Sequence, residues 1–236
     1  EKLHILINQT NLSLAFNKNI KSLEPLMMLH RLENLELQNT SIVDLKPLSG
    51  LNNLESINLN NTGVITLEPL ASLHNIKEIS FEDTEIDDLS PLENSNKLEF
   101  IYCDKTGIND EEVILFNRKH PDCLIVYQSQ KLQMWWNGLN ADWQSELQKP
   151  LSLPLNPSNE ELQQLVSLKI LSLMGNMSLN NLNPIHMFVG LVELTVNNTS
   201  ISDISPILSI KTLKKLDISK NPIYELGSIS YLINLE

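Results

Sequence analysis

Leucine and isoleucine recur along most of this chain with a 22-residue period. Alternation such as Leu35-Glu36-Leu37 predicts a short strand, and a 22-residue period is too short for a strand and a long helix. Each segment is therefore predicted to form one coil, stabilised by stacking on its neighbours. The apolar columns are Leu32, Leu54, Ile76, Leu98; Leu35, Ile57, Ile79, Ile101; Leu37, Leu59, Phe81, Cys103; Ile42, Val64, Ile86, Ile108; and Leu45, Leu67, Leu89.

Threonine and proline mark where each coil turns. Threonine follows each predicted strand, where its hydroxyl can satisfy turn backbone groups that would otherwise be buried unpaired. These residues are Thr40, Thr62, Thr84 and Thr106. Proline on the return path can neither extend a strand ladder nor start a long helix, and it occurs at Pro47, Pro69 and Pro91.

The combined pattern LxxLxLxxTxIxDLxPLxxL resembles the 22-residue leucine-rich repeats of bacterial internalin-type proteins. The resemblance covers roughly residues 10 to 108 and 165 to 236, and threonine stands here where the family often has asparagine. It implies a right-handed superhelix of short parallel strands. It also implies recognition of a protein, or less often a glycan, along the concave sheet.

The pattern changes after Ile108. Residues 109–112 have the sequence of a capping box for a short helix from Glu112 to Lys119. The sequence CLIVY then predicts the last strand of the first array, with Cys123 opposite Ile101.

A tryptophan-rich segment follows the first array. Its apolar residues have the spacing of one amphipathic helix, at Leu132, Trp135, Trp136, Leu139, Trp143 and Leu147. After a proline-rich connector, Ser158 and Glu161 predict another capped helix, which continues to about Val166.

A second array follows, and many of its positions match the first array at a constant 159-residue offset. Such pairs include Leu12 and Leu171, Asn17 and Asn176, Leu35 and Leu194, Thr40 and Thr199, Asp44 and Asp203, and Pro47 and Pro206. We infer a larger 159-residue repeat, composed of a capping helix, several coils, a closing helix and strand, and a Trp-rich helix. It predicts that residues 1 to about 9 are helical, and a strand at Ile5 to Ile7 would weaken it.

The predicted fold is an α/β leucine-rich-repeat solenoid, in which two arrays are separated by a helical capping and linker segment. Residues 1–128 form the first array with its closing helix and strand. Residues 129–166 contain the Trp-rich helix, the connector and the capping helix, and residues 167–236 form a second array that we expect to be truncated.

Charge and hydropathy narrow the classes of partner. The net charge of -12 argues against nucleic acid, because binding there depends on lysine and arginine that neutralise phosphates. No apolar run approaches the roughly 18 to 20 residues that span a bilayer, so membrane insertion is not expected. Localisation stays open between the cytoplasm and the cell surface of a bacterium.

Candidate chemistry is sparse, and we expect no catalytic site, cofactor or metal. Cys103 and Cys123 would lie roughly 8 Å apart between their Cα atoms, which favours free buried thiols. The histidines are interpreted as solvated turn residues: His4, His30, His74, His120 and His186. An acidic cluster could attract calcium or a basic partner, but a solvated run is the commoner case; it comprises Glu82, Asp83, Glu85, Asp87 and Asp88.

Two groups of side chains are candidates for binding. The first is the outward side of the predicted sheet, which is polar except where Phe100 and Tyr102 interrupt it and Leu124 and Val126 continue their columns. We define the sheet face as its eight candidate partner-binding residues: Glu36, Gln38, Asn58, Asn60, Glu82, Phe100, Tyr102 and Asp104. Aromatic anchors within a polar rim are typical of interaction hot spots, although these two could instead pack under the Trp-rich helix.

The second group is the tryptophans of the predicted capping and linker segment, Trp135, Trp136 and Trp143. They are interpreted as a plug over the open end of the first array, or alternatively as a partner-binding surface. Adjacent Trp135 and Trp136 cannot point the same way on a helix, so one is expected to be partly exposed.

The leading functional hypothesis is a non-catalytic scaffold that binds an unidentified protein, or a glycan, on the concave sheet face. Repeat surfaces suit this role because they present a long, pre-organised face. The alternative is a structural spacer built from the larger 159-residue repeats. A third possibility, the substrate-binding part of an enzyme, gains no support from any residue here.

Overall fold

The computed structural model describes residues 7–226 and 229–236, and the chain divides into two compact units, residues 1–128 and 129–236. The helix predicted for residues 1 to about 9 lies mostly outside the described residues, as does the alternative strand at Ile5 to Ile7. Ile7 and Asn8, which are described, lie in a turn.

The first unit contains a parallel sheet of six three-residue strands, each paired with the next in chain order. The strands are β1 (Asn11–Ser13), β2 (Asn34–Glu36), β3 (Ser56–Asn58), β4 (Glu78–Ser80), β5 (Phe100–Tyr102) and β6 (Leu124–Val126). From β2 to β5 the register keeps the predicted columns, so that Leu35, Ile57, Ile79 and Ile101 stand in one row. All four side chains are buried, which confirms the predicted core of aliphatic layers.

Backbone hydrogen bonds join each coil to the next one. The Leu37 N–H donates to the Asn58 carbonyl at 2.8 Å, and the Leu59 N–H donates to the Ser80 carbonyl at 2.7 Å. The threonine hydroxyls donate within their own coil, as predicted: Thr40 to the Leu37 carbonyl at 2.7 Å, and likewise Thr62, Thr84 and Thr106 to Leu59, Phe81 and Cys103. The polar backbone of a coil is thus satisfied by itself and its neighbour.

The return path after each of the strands β1 to β4 is a single turn of 3-10 helix. Proline occupies an early position of every such turn in the first unit, where its missing N–H costs nothing. These turns are Glu24–Leu26, Lys46–Leu48, Glu68–Leu70 and Ser90–Leu92. The last leucine of each turn is buried and anchors the return path to the core.

Helix α1 (Asp110–Lys119) closes the first unit, and its details differ from the prediction. The Asn109 side chain accepts from the Glu111 and Glu112 N–H groups, but Glu112 does not complete a capping box. Its Oε1 instead accepts from the Leu89 N–H of an earlier coil at 2.9 Å. The carboxylate thereby attaches the closing helix to the array.

The predicted register of the last strand is wrong by two residues. Ile101 stands opposite Ile125, not Cys123, because α1 makes this coil longer than the 22-residue period. The pairing puts Leu124 opposite Phe100 and Val126 opposite Tyr102, whereas the predicted register put Leu124 opposite Tyr102.

The second unit begins with helices and continues with a three-stranded parallel sheet. Its helices are α2 (Ser129–Gly138), α3 (Ala141–Gln148) and α4 (Asn159–Val166), and its strands are β7 (Ile170–Ser172), β8 (Glu193–Thr195) and β9 (Lys215–Asp217). Turns of 3-10 helix occur at Lys149–Leu151, Asn183–Met187, Ser205–Ile207 and Ile229–Tyr231. The predicted capping box of α4 is confirmed, since the Ser158 and Glu161 side chains each accept from the other residue's N–H.

The single Trp-rich helix predicted from the sequence is wrong. The chain breaks after Gly138, and Asn140 caps a new helix by accepting from the Trp143 N–H at 2.9 Å. Trp136 and Trp143 belong to the buried core of the second unit, with Leu162 and Leu171, and the plug over the first array stays a prediction. Residues 129–166 are therefore packed into that unit.

Candidate protein-interaction face

The sheet face lies on the first unit, where the strand residues between the buried columns point away from the core. The parallel register places Glu36 beside Asn58 and Asn58 beside Ser80, and Ser80 in turn beside Tyr102. Glu36 is exposed, whereas Asn58, Asn60, Phe100 and Tyr102 are half-buried. Short strands in register therefore bring side chains from four coils onto one surface.

A hydrogen-bonded network around Asn60 fixes the centre of this face. The Asn60 Oδ1 accepts from the Ser80 hydroxyl at 2.6 Å and from the Glu82 N–H at 2.7 Å. Its Nδ2 donates to Glu82 Oε2 at 2.8 Å, and its own N–H donates to Asn58 Oδ1 at 3.0 Å. These bonds cross two coils, so the polar side chains here are held in place before any partner arrives.

The carboxyl group of Glu82 on this face has a raised pKa. Partial burial raises the pKa of its carboxyl above the ordinary value of 4.5, and the nearby carboxylates of Asp104 and Asp83 raise it further. Lys105 and the Asn60 hydrogen bond oppose this shift without cancelling it. Lys105 itself pairs with Asp83 on the adjoining turn, with 3.1 Å between Nζ and Oδ2. The centre of the face is therefore electronegative.

The aromatic pair sits next to the acidic centre. Phe100 and Tyr102 stack with their ring centroids 6.2 Å apart and their planes at 14°. Both rings remain half-buried, so part of each is available at the surface. That they form a hot spot stays a prediction, and so does the alternative that they pack under the Trp-rich segment.

The remaining predicted site residues differ in their surroundings. Gln38, in the column of Asn60, is half-buried, and its Oε1 atom is buried without a hydrogen-bond partner in the described structure. Trp136 is buried, whereas Trp135 is half-buried, which confirms that the adjacent tryptophans point different ways. The Trp135 Nε1 donates to the Pro184 carbonyl at 3.2 Å, within the second unit.

Sequence analysis missed a second row of polar residues, immediately after the sheet face. Asn39, Asn61, Asp83 and Lys105 all have positive φ, between 53° and 59°. Asn61 Nδ2 donates to Asn39 Oδ1 at 2.6 Å. The signal was the 22-residue recurrence of asparagine and aspartate just before the threonine column, since these residues tolerate left-handed backbone better than most.

The two cysteines are free and buried, as predicted. The Cys103 Sγ lies 3.7 Å from the Val126 carbonyl oxygen, to which it donates. Burial raises the pKa of the Cys103 thiol far above its ordinary value, and raises that of Cys123 to about 12. Both side chains are therefore protonated at neutral pH, which makes them poor nucleophiles and poor metal ligands.

The histidines lie in two kinds of environment. His30, His74 and His186 are exposed, in agreement with the prediction, while His4 falls outside the described residues. The prediction is wrong for His120, which is buried, stacks on Phe116 with 4.4 Å between ring centroids, and has its Nε2 3.0 Å from the Glu93 carbonyl.

Two general features of the described residues bear on function. Within residues 7–226 and 229–236 no group of three or more His, Cys, Asp or Glu side chains is arranged to hold a metal ion. No helix in the same part of the chain is long and apolar enough to cross a membrane.

Comparison with solved structures identifies the fold. An internalin (inlF) from Listeria monocytogenes matches 99% of this chain with a TM-score of 0.50 at 19% identity. Internalin C2 of the same organism matches 100% of this chain at 20% identity and a TM-score of 0.43, and this chain covers 72% of the length of internalin C2. A leucine-rich-repeat protein of Leptospira interrogans matches 98% at 19% identity and a TM-score of 0.40, with 78% of its own length covered. No protein-family model matches the sequence, and neither does any curated protein.

Short parallel strands in register, single-turn return paths and buried aliphatic columns define a leucine-rich-repeat protein. The inlF structure has the same fold, as its match over 99% of this chain shows. This chain spans 62% of the length of that internalin, and at 19% identity the likeness is one of fold.

Proposed function

We propose that this protein is a non-catalytic scaffold that binds another protein on the sheet face of its first unit. The observation that carries the proposal is the combination of a pre-organised polar network, centred on Asn60, with the half-buried pair Phe100 and Tyr102. Rigid side chains lose little entropy on binding, and aromatic anchors within a polar rim supply much of the affinity of protein interfaces.

The partner is unidentified, and its class is proposed from the surface alone. A rigid, polar face with aromatic rings also suits a glycan, which is the second class of ligand to be tested.

Site-specific photo-crosslinking tests the proposal. A benzophenone amino acid at Glu36, on the sheet face, is compared with one at Ile65, which is 61% exposed and lies on the return path. Incubated with a surface fraction and a lysate of the source organism, the Glu36 probe is expected to yield a discrete product that the Ile65 probe does not. Equal labelling from both positions, or none from Glu36, contradicts a binding role for this face.

A folded Phe100→Ser/Tyr102→Ser variant is the second arm of the experiment. Loss of the crosslinked product, with an unchanged circular dichroism spectrum, would identify the aromatic pair as the hot spot. Retention of the product would show that the sheet face binds the partner without a contribution from the aromatic pair.

A structural spacer is the second candidate, and the 159-residue correspondence between the units favours it. Strands β1, β2 and β3 have counterparts β7, β8 and β9 at that distance. The sequence of the natural protein beyond residues 1 and 236 tests the spacer: further copies with similar outward residues support it. Absence of further copies, together with a crosslinked partner at Glu36, contradicts it.

A further inference from the structure

The first coils of the two units carry identical apolar residues that differ in exposure. Equivalent positions lie 159 residues apart, and the identical pairs are Leu12 and Leu171, Leu14 and Leu173, Pro25 and Pro184, and Met28 and Met187. In the second unit all four side chains are buried, whereas in the first unit the two leucines are half-buried and the proline and methionine are exposed. The contrast is largest for methionine, since Met28 is 60% exposed and Met187 is 7% exposed.

The strands themselves do not account for this difference. Leu12 stands opposite Leu35 as Leu171 stands opposite Leu194, and Leu35 and Leu194 are both 1% exposed. The return turns of the two first coils differ in length, but the leucines precede those turns in the chain. The difference therefore arises on the outer side of the first coil, at the end of each array. We define the end face of the first unit as Leu12, Leu14, Pro25 and Met28.

Two contacts show what lies against the equivalent end of the second unit. Trp135 of α2 donates through Nε1 to the Pro184 carbonyl at 3.2 Å, and its ring meets that of Phe188 edge-on, with 6.1 Å between centroids. Glu146 of α3 accepts at Oε1 from Asn176 Nδ2 at 2.6 Å, and the glutamate side chain is only 10% exposed. A tryptophan and a buried carboxylate thus attach α2 and α3, which we call the cap, to this coil.

The first unit has the polar groups that such a cap contacts. Asn17 corresponds to Asn176 and is exposed, and its Nδ2 donates to the Leu14 and Ala15 carbonyls at 3.0 and 3.1 Å. A carboxylate could replace one of these two acceptors, and it would form the stronger hydrogen bond because it is charged. Pro25 places a carbonyl where the second unit has that of Pro184. The end face therefore combines apolar area with the hydrogen-bonding groups that hold the cap in the second unit.

We propose that the end face of the first unit binds a second cap, a tryptophan-bearing helix pair of the α2 and α3 kind that belongs to the same natural polypeptide. Its tryptophan lies against Pro25, and its carboxylate accepts from Asn17. Burial of the end face removes apolar side chains from water, which is the driving force of the contact. This surface is separate from the sheet face, so the inference does not depend on the proposed function.

A chain with an added cap tests the proposal. Residues 129–159 are duplicated directly before Glu1, which corresponds to Glu160, so that the added cap has the same spacing to the first coil as in the second unit. Hydrogen peroxide then reports coverage, because it oxidises accessible methionine to the sulfoxide faster than buried methionine. Mass spectrometry measures the oxidation rate at each methionine.

Met28 should lose reactivity in the extended chain and fall to the rate of Met187. Met27, which is 51% exposed, should keep its rate, because its equivalent His186 stays exposed in the second unit. The matched control is an extension of the same composition in scrambled order, which should leave Met28 as reactive as in the parent chain. Unchanged reactivity of Met28 with the intact cap, or equal protection by both extensions, overturns the proposal.

Two substitutions test the polar contact. In the extended chain, Asn17→Asp would set a carboxylate against the carboxylate of the added cap, so Met28 should regain reactivity. Glu146→Gln in the added copy alone supplies a donor to that aspartate and should restore protection of Met28. Protection that persists in the Asn17→Asp chain overturns the assigned contact.

Oxidation of the purified natural polypeptide tests the source of the cap. A rate for Met28 like that of Met187 supports a cap within the same polypeptide. A rate like that of Met27 overturns this source, and protection that appears only in a lysate assigns the end face to a separate protein. The Glu36 crosslink should be the same with and without the added cap, so failure of this inference is distinguishable from failure of the proposed function.

Discussion

In the first unit Lys77 donates to Glu55 of the preceding coil, whereas at the equivalent positions of the second unit Lys214 donates to Glu236. The two charges have exchanged places. On the return path the residue differs but the hydrogen bond is kept. Asn53 donates to the His30 carbonyl, and its equivalent in the second unit, Thr212, donates to the Val189 carbonyl. These positions require a complementary pair or a donor, not a particular residue.

The units also differ at their ends. Helix α1 closes the first unit through the bond from the Leu89 N–H to Glu112. The second unit opens with α2, α3 and α4, and the tryptophans of the first two helices pack with Leu162 and Leu171. The coils of the two units thus share one backbone structure, whereas the helical segments at the unit ends differ from each other. Five predictions test this contrast, in order of decreasing expected effect.

Trp136→Ala should damage the second unit alone. Its side chain is 1% exposed, and loss of a buried tryptophan costs about 3–5 kcal/mol. Hydrogen exchange followed by mass spectrometry should show lost protection in β7, β8 and β9, with β2, β3 and β4 unchanged. Equal loss in both units would mean that their cores unfold together.

Leu35→Ala and Leu194→Ala should have matching effects, because these equivalent leucines are both 1% exposed and lie in the same strand column. Each truncation is expected to cost about 2–5 kcal/mol. Denaturant unfolding of the two variants measures the costs. A difference larger than about 2 kcal/mol would show that the coils are packed differently despite their common register.

Phe16 and Gly175 occupy equivalent turns with left-handed backbone, at φ 61° and 79°. A Cβ at Gly175 would meet nothing within 4 Å, so Gly175→Ala should cost about 1–2 kcal/mol through its backbone alone. Phe16→Gly should raise the free energy of unfolding by up to about 1 kcal/mol, because the ring is 73% exposed and loses little packing. Thermal unfolding measures both changes, and opposite signs are the expected result.

Glu82→Gln and Asp217→Asn should give opposite pH dependences. The pKa of Glu82 is raised, chiefly by burial, so its ionised form destabilises the folded state above that pKa, and the penalty vanishes as pH falls below 4.5. The pKa of Asp217 is lowered, chiefly by the Ser219 hydrogen bonds, so its stabilisation is present above 3.8 and is lost as pH falls.

At pH 7 the glutamine variant should therefore be more stable than the parent chain, by less than about 1 kcal/mol, since the amide oxygen can still accept from Asn60. The asparagine variant should be less stable. Thermal unfolding between pH 3 and pH 7 follows both differences, which should shrink towards the acid end. A glutamine variant that is less stable at pH 7 would contradict the electronegative centre.

Lys77→Glu should have the smallest effect, because the Lys77–Glu55 pair is partly exposed, at 43% and 41% of the two side chains, and water weakens such pairs. The double variant Lys77→Glu/Glu55→Lys copies the polarity of the second unit and should restore the parent melting temperature. A double-mutant cycle reports the coupling. Failure of the exchange to rescue would show that polarity is fixed by other residues of each coil.

The sequence predicted most of the coil and little of the network on its face. Periodicity alone placed Leu35, Ile57, Ile79 and Ile101 in one row, because a two-residue alternation and a constant repeat length leave no other register. The register of β6 was missed because the length of chain that α1 takes up is not part of the repeat. The bonds around Asn60 depend on side-chain rotamers, which a pattern of polar positions does not specify.

The tryptophan segment shows a different limit. The spacing from Leu132 to Leu147 favours one helix, yet Gly138 and the Asn140 cap divide it. Both residues are breaking signals, but the apolar spacing continues across them. The spacing also predicts which side chains are buried. It does not predict which array they cover, because the apolar end of either array could pack against the same row of apolar side chains.

The backbone hydrogen bonds between neighbouring coils have a consequence for how such a protein changes over generations. Because Leu37 bonds Asn58 and Leu59 bonds Ser80 in the same way, whole coils can be duplicated or deleted by recombination without altering the junctions that remain. The length of the array is then a trait that varies in steps of one coil, while the outward residues diverge by point mutation. The number of coils and the outward residues can therefore change independently of one another.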